Sequence, residues 1–208
     1  MNVILIGPPG CGKGTQAQEI CHKYNLFYVS TGNLIREEIE KKTSLGLFVK
    51  NKIQRGELVD DDTVISLVKK KIQSTKKGIL FDGFPRTLAQ AKELESFCTI
   101  DYVIDIQVSD EQVISRISHR YMVEKDHSQF TFTSKAQAQK FVDTHGGHIF
   151  HRKDDTPKVI SQRLEIYHTQ TQPLIEYYGK KHLLFIVNGE KAIPQVTKDI
   201  FQILHRRK

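Results

Sequence analysis

The sequence predicts an α/β fold, a parallel sheet covered on both faces by helices, and three observations carry that prediction. Short, wholly apolar runs alternate with longer stretches of helical period. Those runs lack the in-and-out alternation of a sheet with one wet face, as expected for strands buried on both sides. A glycine-rich turn joins the first run to the first helical stretch, the usual strand-to-helix junction of a doubly wound fold.

In order along the chain, Val3–Ile6, Leu26–Val29, Ile79–Phe81, Tyr102–Val108 and Leu183–Val187 read as strands, being short and rich in β-branched and aromatic residues. Lys13–Tyr24, Thr63–Ile72 and Thr87–Phe97 read as helices, the second with Val64, Ile65, Leu67, Val68 and Ile72 along one face. Residues 121–155 break the pattern with Gln, Thr, Ser, His and Lys, few aliphatics and a Gly146-Gly147 pair, and are expected to form an inserted subdomain. Thr156-Pro157 then supplies an N-cap and a first-turn proline for a helix running towards Tyr178 and ending before Gly179.

With 208 residues, 38% apolar and 26% charged, the chain can bury a sizeable core. Thirteen Gly and six Pro are too few for collagen-like or disordered classes. Cys11, Cys21 and Cys98 are odd in number and lack Cys-x-x-Cys spacing, which argues against a disulfide framework or a four-cysteine zinc site. A reducing cytoplasm fits, and the N-terminal apolar run is too short for a signal segment or membrane span. The net charge of +7 suggests an anionic partner, and its distribution narrows the choice. Residues 1–115 hold 15 basic and 15 acidic side chains, residues 116–163 hold 9 and 5, and residues 164–208 hold 7 and 4. The excess therefore begins at Arg116, and Arg206, Arg207 and Lys208 form a terminal cluster expected to be a solvated helix end.

Gly7-Pro8-Pro9-Gly10-Cys11-Gly12-Lys13-Gly14-Thr15 lies between the first strand and the first helix. Glycines let the backbone turn its N–H groups inward, the helix N-terminus adds positive potential, and Lys13 can reach the outer phosphates of a nucleoside triphosphate. This is a P-loop, with Gly14 where Ser or Thr usually follows the lysine and the hydroxyl one place later at Thr15. Two further islands follow strands. Ser30-Thr31-Gly32-Asn33-Leu34-Ile35-Arg36 offers Ser30 or Thr31 as an N-cap with Arg36 one turn into a helix, and Asp82-Gly83-Phe84-Pro85-Arg86-Thr87 ends a strand on a carboxylate and presents an arginine. Strand ends of this kind converge on the ligand crevice of open α/β sheets. Asp60-Asp61-Asp62 reads as a loop and helix N-terminus, Lys69-Lys70-Lys71 as a solvated helix face, and Cys11 as a small filler of the loop.

Together, the P-loop ending Gly-Lys-Gly-Thr, the Ser-Thr-Gly island with Arg36, and Asp-Gly-Phe-Pro-Arg closely resemble the adenylate kinase family of nucleoside monophosphate kinases, in its long-lid bacterial form. The resemblance continues through Gly56-Glu57-Leu58-Val59, Arg116, Arg120, Arg152-Lys153-Asp154-Asp155, Arg163 and Asn188-Gly189, and so spans nearly the whole chain. It implies a P-loop NTPase-like, five-stranded parallel sheet flanked by helices. The core would be 1–29, 60–120 and 156–208, with an AMP-binding helical insert at 30–59 and a lid subdomain at 121–155.

The resemblance also implies an activity: reversible, Mg²⁺-dependent phosphoryl transfer from ATP to AMP, giving two ADP. Gly10, Cys11, Gly12, Lys13, Gly14 and Thr15 would hold the ATP phosphates, with Arg116 and the backbone near Lys191 at the donor base. Thr31, Arg36, Gly83, Phe84, Pro85, Arg86 and Gln90 would hold AMP, and Glu57, Leu58 and Val59 would line its base. Arg120, Arg152 and Arg163 would converge with Lys13 and Arg86 on the transferring group, Arg152 and Arg163 also touching AMP. Asp82 would orient Mg²⁺ through water. Relatives that phosphorylate UMP or CMP usually carry Ala at the position of Thr31 and Asn at that of Thr87, so Thr31, Thr87 and Gln90 favour adenine, whose edge suits an amide.

The lid interior departs from the family. The usual Ser-Gly-Arg and Tyr-His are absent, Asn33 replaces the more usual Asp, and none of the four zinc cysteines is present, so no structural zinc is expected. Phe130 is available for an aromatic contact with the donor base. His145, His148 and His151 are expected to be polar lid surface rather than metal ligands. Lid closure excludes water and suppresses ATP hydrolysis, a gating for which adenylate kinases are a known example. A monomer with small-molecule nucleotide partners, without nucleic acid or membrane, is expected. The competing readings are a kinase for another nucleoside monophosphate, and a nucleotide-binding protein of low turnover.

Overall fold

The computed structural model describes residues 1–125, 128–152 and 154–205. Lys153 and the Arg206–Lys208 cluster lie outside them. The first half of the chain runs β1 (Val3–Ile6), α1 (Lys13–Tyr24), β2 (Phe27–Ser30), α2 (Thr31–Glu40), α3 (Ser44–Gln54), α4 (Asp61–Ile72), β3 (Ile79–Asp82) and α5 (Leu88–Phe97). It continues with β4 (Tyr102–Gln107), α6 (Asp110–Ser118), β5 (Tyr121–Lys125), β6 (Ser128–Phe132), α7 (Lys135–His145) and β7 (His148–Phe150). The last part is α8 (Pro157–Ile166), a π-helical turn (Tyr167–Thr171), α9 (Pro173–Lys180), β8 (Leu184–Asn188) and α10 (Ile193–His205).

The main sheet has the order β2-β3-β1-β4-β8, every pair parallel, as the apolar runs predicted. Alternate residues of β1 feed two cores. Ile4 and Ile6 pack with Phe81, Val103, Val68 and Leu94 on one face, while Val3 and Leu5 pack with Ile20, Ile200 and Leu204 on the other. Each such aliphatic side chain contributes about 1.5–3 kcal/mol when fully buried, so this doubly covered sheet is the rigid base for the loops at its edge. Register puts Leu5 opposite Asp82 and Ile6 opposite Asp105, which brings the ends of β1, β3 and β4 together beneath the glycine-rich loop.

Strands β5, β6 and β7 form a separate antiparallel sheet of order β6-β5-β7, with α7 packed on it. Among the described residues Met122, Val123 and Ala138 are its buried side chains, and beside them a half-buried aromatic cluster faces the cavity, Phe141 lying 4.7 Å from Phe130 and 5.2 Å from Phe132, ring centre to ring centre.

Local differences from the sequence expectations have physical causes. The helix begun by Thr156, whose hydroxyl accepts from Val159 N–H, does not stop before Gly179. It continues to Lys180 after the π turn, in which Gln172 N–H bonds to the Tyr167 carbonyl. Pro173, having no N–H to give, follows that turn, and the left-handed residue after the helix is His182 rather than Gly179. Neither Ser30 nor Thr31 caps α2 through its side chain; the Thr31 hydroxyl donates instead to the Gly83 carbonyl at 2.7 Å. Arg120 stands beyond the end of α6, in the link to β5.

Asp105 on β4 is fully buried; Oδ2 accepts from Gln107 Nε2 at 2.9 Å, and Oδ1 meets no hydrogen-bond donor among the described residues. Burial pushes its carboxyl above the ordinary range, against the Gln107 hydrogen bond and the charge of Lys13. A carboxyl raised in the folded state opposes folding once it ionises, so its cost grows as pH rises through the ordinary carboxylate range towards the raised value. Asp105→Asn is expected to raise the melting temperature at pH 7 by about 2–4 °C, with the gain fading below about pH 4. Calorimetry at the two pH values checks this, and an unchanged or lower melting temperature at pH 7 contradicts it.

Candidate active site

The loop between β1 and α1 can only be built with glycine at its base. Gly7 has φ 143°, and a Cβ there would lie 2.5 Å from the Ile106 carbonyl oxygen, a backbone atom with no room to yield. Gly12, at φ 103°, turns the chain into α1. Lys13 Nζ folds over the loop and donates to the carbonyls of Gly7 (2.7 Å) and Pro8 (2.8 Å), so the ammonium sits at the centre of the ring of backbone. Cys11 is 3% exposed beneath it.

A cavity of about 770 Å³ opens from this loop. Gly10 to Thr15, Arg116, Gly189 and Lys191 line it, as do Gly32, Asn33, Arg36, Gly56, Leu58, Gly83, Pro85 and Arg86. Arg120, Arg152 and Arg163 lie along it, and Gln129–Thr133 with Phe141 form a wall from the small sheet. The predicted constellation is therefore assembled, with particular exceptions. Thr31, Glu57, Val59, Phe84 and Gln90 do not line the cavity. Val59 and Phe84 are core residues, and Glu57 turns out to an ion pair with Arg55 at 2.6 Å.

Each arginine that lines the cavity is held by neighbours. Arg120 makes a bidentate pair with Asp155, Nε at 2.9 Å and a terminal nitrogen at 2.5 Å. Arg163 pairs with Asp154 and lies 3.7 Å from Asp155. Arg86 Nε donates to the Gly83 carbonyl at 3.0 Å, while its own backbone carbonyl accepts from Thr171, the residue that the π turn brings inward. Arg36 donates to Asn33 Oδ1 and Arg152 to Gln129 Oε1 at 3.3 Å, but neither Arg36 Nε nor Arg152 Nε meets an acceptor among the described residues. Arg116 bridges the Cys11 and Gly189 carbonyls, tying the glycine-rich loop to the turn after β8. The Lys191 side chain turns away to Asp199 at 2.7 Å, leaving its backbone for the cavity.

Burial lowers the guanidinium groups of Arg36, Arg86, Arg152 and Arg163 from their ordinary value, and repulsion from neighbouring arginines adds to it. Arg152 is pushed down to about 8 by burial and then by Arg36, Arg120 and Arg163. Arg163 is pushed down to about 9 by burial and then by Arg120, Arg86 and Arg36. Guanidinium groups resist deprotonation, so these crowded cations keep their charge. Asp82, at the end of β3, accepts the Tyr28 hydroxyl on Oδ2 at 2.7 Å, and that oxygen would be 3.9 Å from a Cβ on Gly14.

The sequence reading missed several contributors. Asp61, taken only as part of a helix N-terminus, accepts from Thr87 and Gln90. Asp154 and Asp155 were seen as part of a motif but not as clamps for Arg163 and Arg120. The alternation in Gln129-Phe130-Thr131-Phe132, with phenylalanine at every second position, could have revealed the strand that brings Phe130 to the cavity. The three lid histidines point to separate partners: His145 stacks on Phe141, His148 lies 3.9 Å from Glu124, and His151 contacts the Arg120 carbonyl. Among the described residues no group of three or more His, Cys, Asp or Glu is arranged to hold a metal ion, and no helix is long and apolar enough to cross a membrane.

The cysteines give a direct check on this packing. Burial pushes Cys11 up despite Lys13, and pushes Cys21 up to about 12. Iodoacetamide at pH 7.5 is expected to alkylate native Cys11 at least about tenfold more slowly than the unfolded chain. Mass spectrometry over time reads this, and rapid native labelling of Cys11 contradicts it.

A glycine-rich loop at the C-terminal end of the central strand of a parallel sheet, sharing one cavity with a group of arginines, defines a phosphotransferase. The family model described as adenylate kinase matches residues 5–183. The chain belongs to the adenylate kinase family. Similar curated relatives, each called adenylate kinase, include that of Caldicellulosiruptor bescii, 38% identical over 98% of this chain and 99% of its own length. That of Staphylococcus epidermidis is 39% identical over 98% of this chain and 99% of its own. That of Archaeoglobus fulgidus is 39% identical over the whole of both.

Proposed function

We propose that the chain catalyses reversible, Mg²⁺-dependent transfer of the terminal phosphoryl group of ATP to AMP, giving two ADP, and so balances the adenine nucleotides. The observation that carries this reading is that Arg36, Arg86, Arg120, Arg152 and Arg163 line one cavity with Lys13 and the glycine-rich loop. One phosphate chain at the loop would not engage Arg36, Arg86 and Arg152, none of which has a carboxylate hydrogen-bond partner among the described residues; a second nucleotide uses them. In this reading ATP lies on Gly10–Thr15 with its base between Arg116 and the backbone at Lys191, and AMP lies against Leu58, Gly83, Pro85, Arg36 and Arg86. Residues 30–59 act as the AMP-binding insert and 121–155 as the lid, on a core of 1–29, 60–120 and 156–208.

Phosphoryl transfer needs little covalent help from the protein; it needs in-line positioning and positive charge where oxygen charge shifts. Lys13, Arg120, Arg152 and Arg163 surround the transfer point, and Arg86 and Arg36 hold the acceptor phosphate. The wall formed by Gln129–Thr133 and Phe141 excludes water from it. Asp82 and the Thr15 hydroxyl are hard oxygen donors beside the loop, a set suited to Mg²⁺, which keeps several waters. When bound, Mg²⁺ neutralises charge on the donor phosphates. Three free cysteines suit a reducing cytoplasm, and a charge cluster complete within one chain suits a monomer.

A coupled assay with MgATP and, separately, AMP, CMP, UMP and GMP tests the reading. Turnover with AMP at least about tenfold above the others in kcat/KM is expected. Faster reaction with CMP or UMP makes it a kinase for another monophosphate, and tight binding of ATP and AMP without turnover makes it a binding protein.

A further inference from the structure

Asp61 is the first residue of α4, where the chain returns from residues 30–59 to the main sheet. Its two carboxylate oxygens take different partners on α5. Oδ2 accepts from the Thr87 hydroxyl at 2.8 Å, and Oδ1 accepts from Gln90 Nε2 at 2.7 Å. Gln90, 2% exposed, accepts the Arg86 backbone N–H on Oε1 at 2.8 Å, and its own backbone N–H donates to the Thr87 hydroxyl at 3.1 Å.

The chemistry of these partners leaves no freedom. A carboxylate only accepts and a backbone N–H only donates, so the Gln90 amide must turn nitrogen to Asp61 and oxygen to Arg86. Thr87, which caps α5, must send its hydroxyl hydrogen to Asp61 because its oxygen already accepts. One acid thereby fixes a threonine, an amide and, through the amide, the backbone of Arg86. On its other side Arg86 is held by Gly83 and Thr171. Asp60, its neighbour, spends its carboxylate capping α4 at Thr63 N–H, so the two acids have separate tasks.

We propose that Asp61 is a positioning residue for the acceptor subsite. Acting through Gln90 and Thr87, it holds the Arg86 segment in the geometry that grips the monophosphate, and it ties that grip to the end of the 30–59 segment. Gln90 on this account serves first as a link in the chain to Arg86, which explains its burial behind the cavity wall. The proposal rests on the reading of Arg86 as an acceptor-side residue.

The test exploits the polarity of the Asp61–Gln90 pair. Asp61→Asn faces an amide with an amide, Gln90→Glu faces a carboxylate with a carboxylate, and each leaves a mismatched group. The double variant D61N/Q90E exchanges acid and amide. The new amide can still accept from Thr87 and donate across the pair, and the new carboxylate can still accept from Arg86 N–H. Steady-state KM for AMP and for MgATP, calorimetric binding of AMP alone, and melting temperature are measured for all four proteins. Each single variant is expected to raise KM and Kd for AMP by about tenfold, with KM for MgATP within about twofold of the parent. The double variant is expected to recover most of that loss. An unchanged AMP constant in D61N, equal rises for both nucleotides, or a double variant no better than the worse single variant overturns the proposal. If the parent itself turns over another monophosphate in preference to AMP, the functional reading fails, and the same comparison is made with that acceptor.

Discussion

Lys13→Met is expected to lower kcat/KM by about 10³-fold, because a charge at the centre of the glycine-rich loop is removed while the length of the side chain is kept. Lys13 Nζ is held by the carbonyls of Gly7 and Pro8, at the point where donor phosphates would replace or join them. Interactions that strengthen as the terminal oxygens gain charge act on kcat, so the fall is expected mainly there, with a smaller rise in KM for MgATP. The loop itself depends on Gly7, Gly12 and the burial of Cys11, and methionine disturbs none of these. A melting temperature near that of the parent is therefore expected alongside the kinetic loss. Parent-like kinetics would remove Lys13 from the transfer step.

Arg86→Ala is the second large effect, expected at about 10²- to 10³-fold in kcat/KM for AMP. Arg86 is half-buried in the cavity wall, and desolvation lowers its guanidinium below the ordinary value, with Asp82 opposing and Arg36 adding to the fall. A partly desolvated cation held by the Gly83 carbonyl and only opposed at longer range by Asp82 gains most from an arriving anion, so its removal is expected to cost ligand more than it costs the fold. The expected signature is a large loss of AMP affinity in calorimetry, a smaller effect on MgATP, and little or no fall in melting temperature. Arg86→Lys is expected to recover only part of the loss, since an ammonium cannot repeat the planar contact to Gly83 while facing a phosphate. A variant that binds AMP as the parent does contradicts this role.

How much of this was legible in the sequence follows from the range of the interactions concerned. The strands were legible because burial on both faces leaves wholly apolar runs, as in Val3–Ile6, and the loop was legible because its glycines and Lys13 are contiguous. Arg36, Arg86, Arg120, Arg152 and Arg163 were found through motifs rather than through any local pattern that shows where a side chain points. What stayed hidden depends on partners distant in sequence. Asp61 looks like an ordinary first-turn acid until β3 and α5 bring Thr87 and Gln90 to it, 26 and 29 residues on. The π turn is equally opaque, since only tertiary structure shows that it brings Thr171 to the Arg86 carbonyl. In the 121–155 region only Met122, Val123 and Ala138 are buried among the described hydrophobics, and the half-buried cluster of Phe130, Phe132 and Phe141 is spread over two elements, so a reading tuned to contiguous apolar runs passes over it.

The most direct test of the central claim is a crystal structure with two adenosines joined through a chain of phosphates. One adenosine is predicted to lie between Arg116 and the Lys191 backbone and the other against Leu58. The phosphates are predicted to run from Lys13 past Arg120, Arg152 and Arg163 to Arg86 and Arg36. A complex in which only the loop end is occupied, or in which the phosphate chain leaves the arginines unengaged, would contradict a two-nucleotide phosphotransfer site.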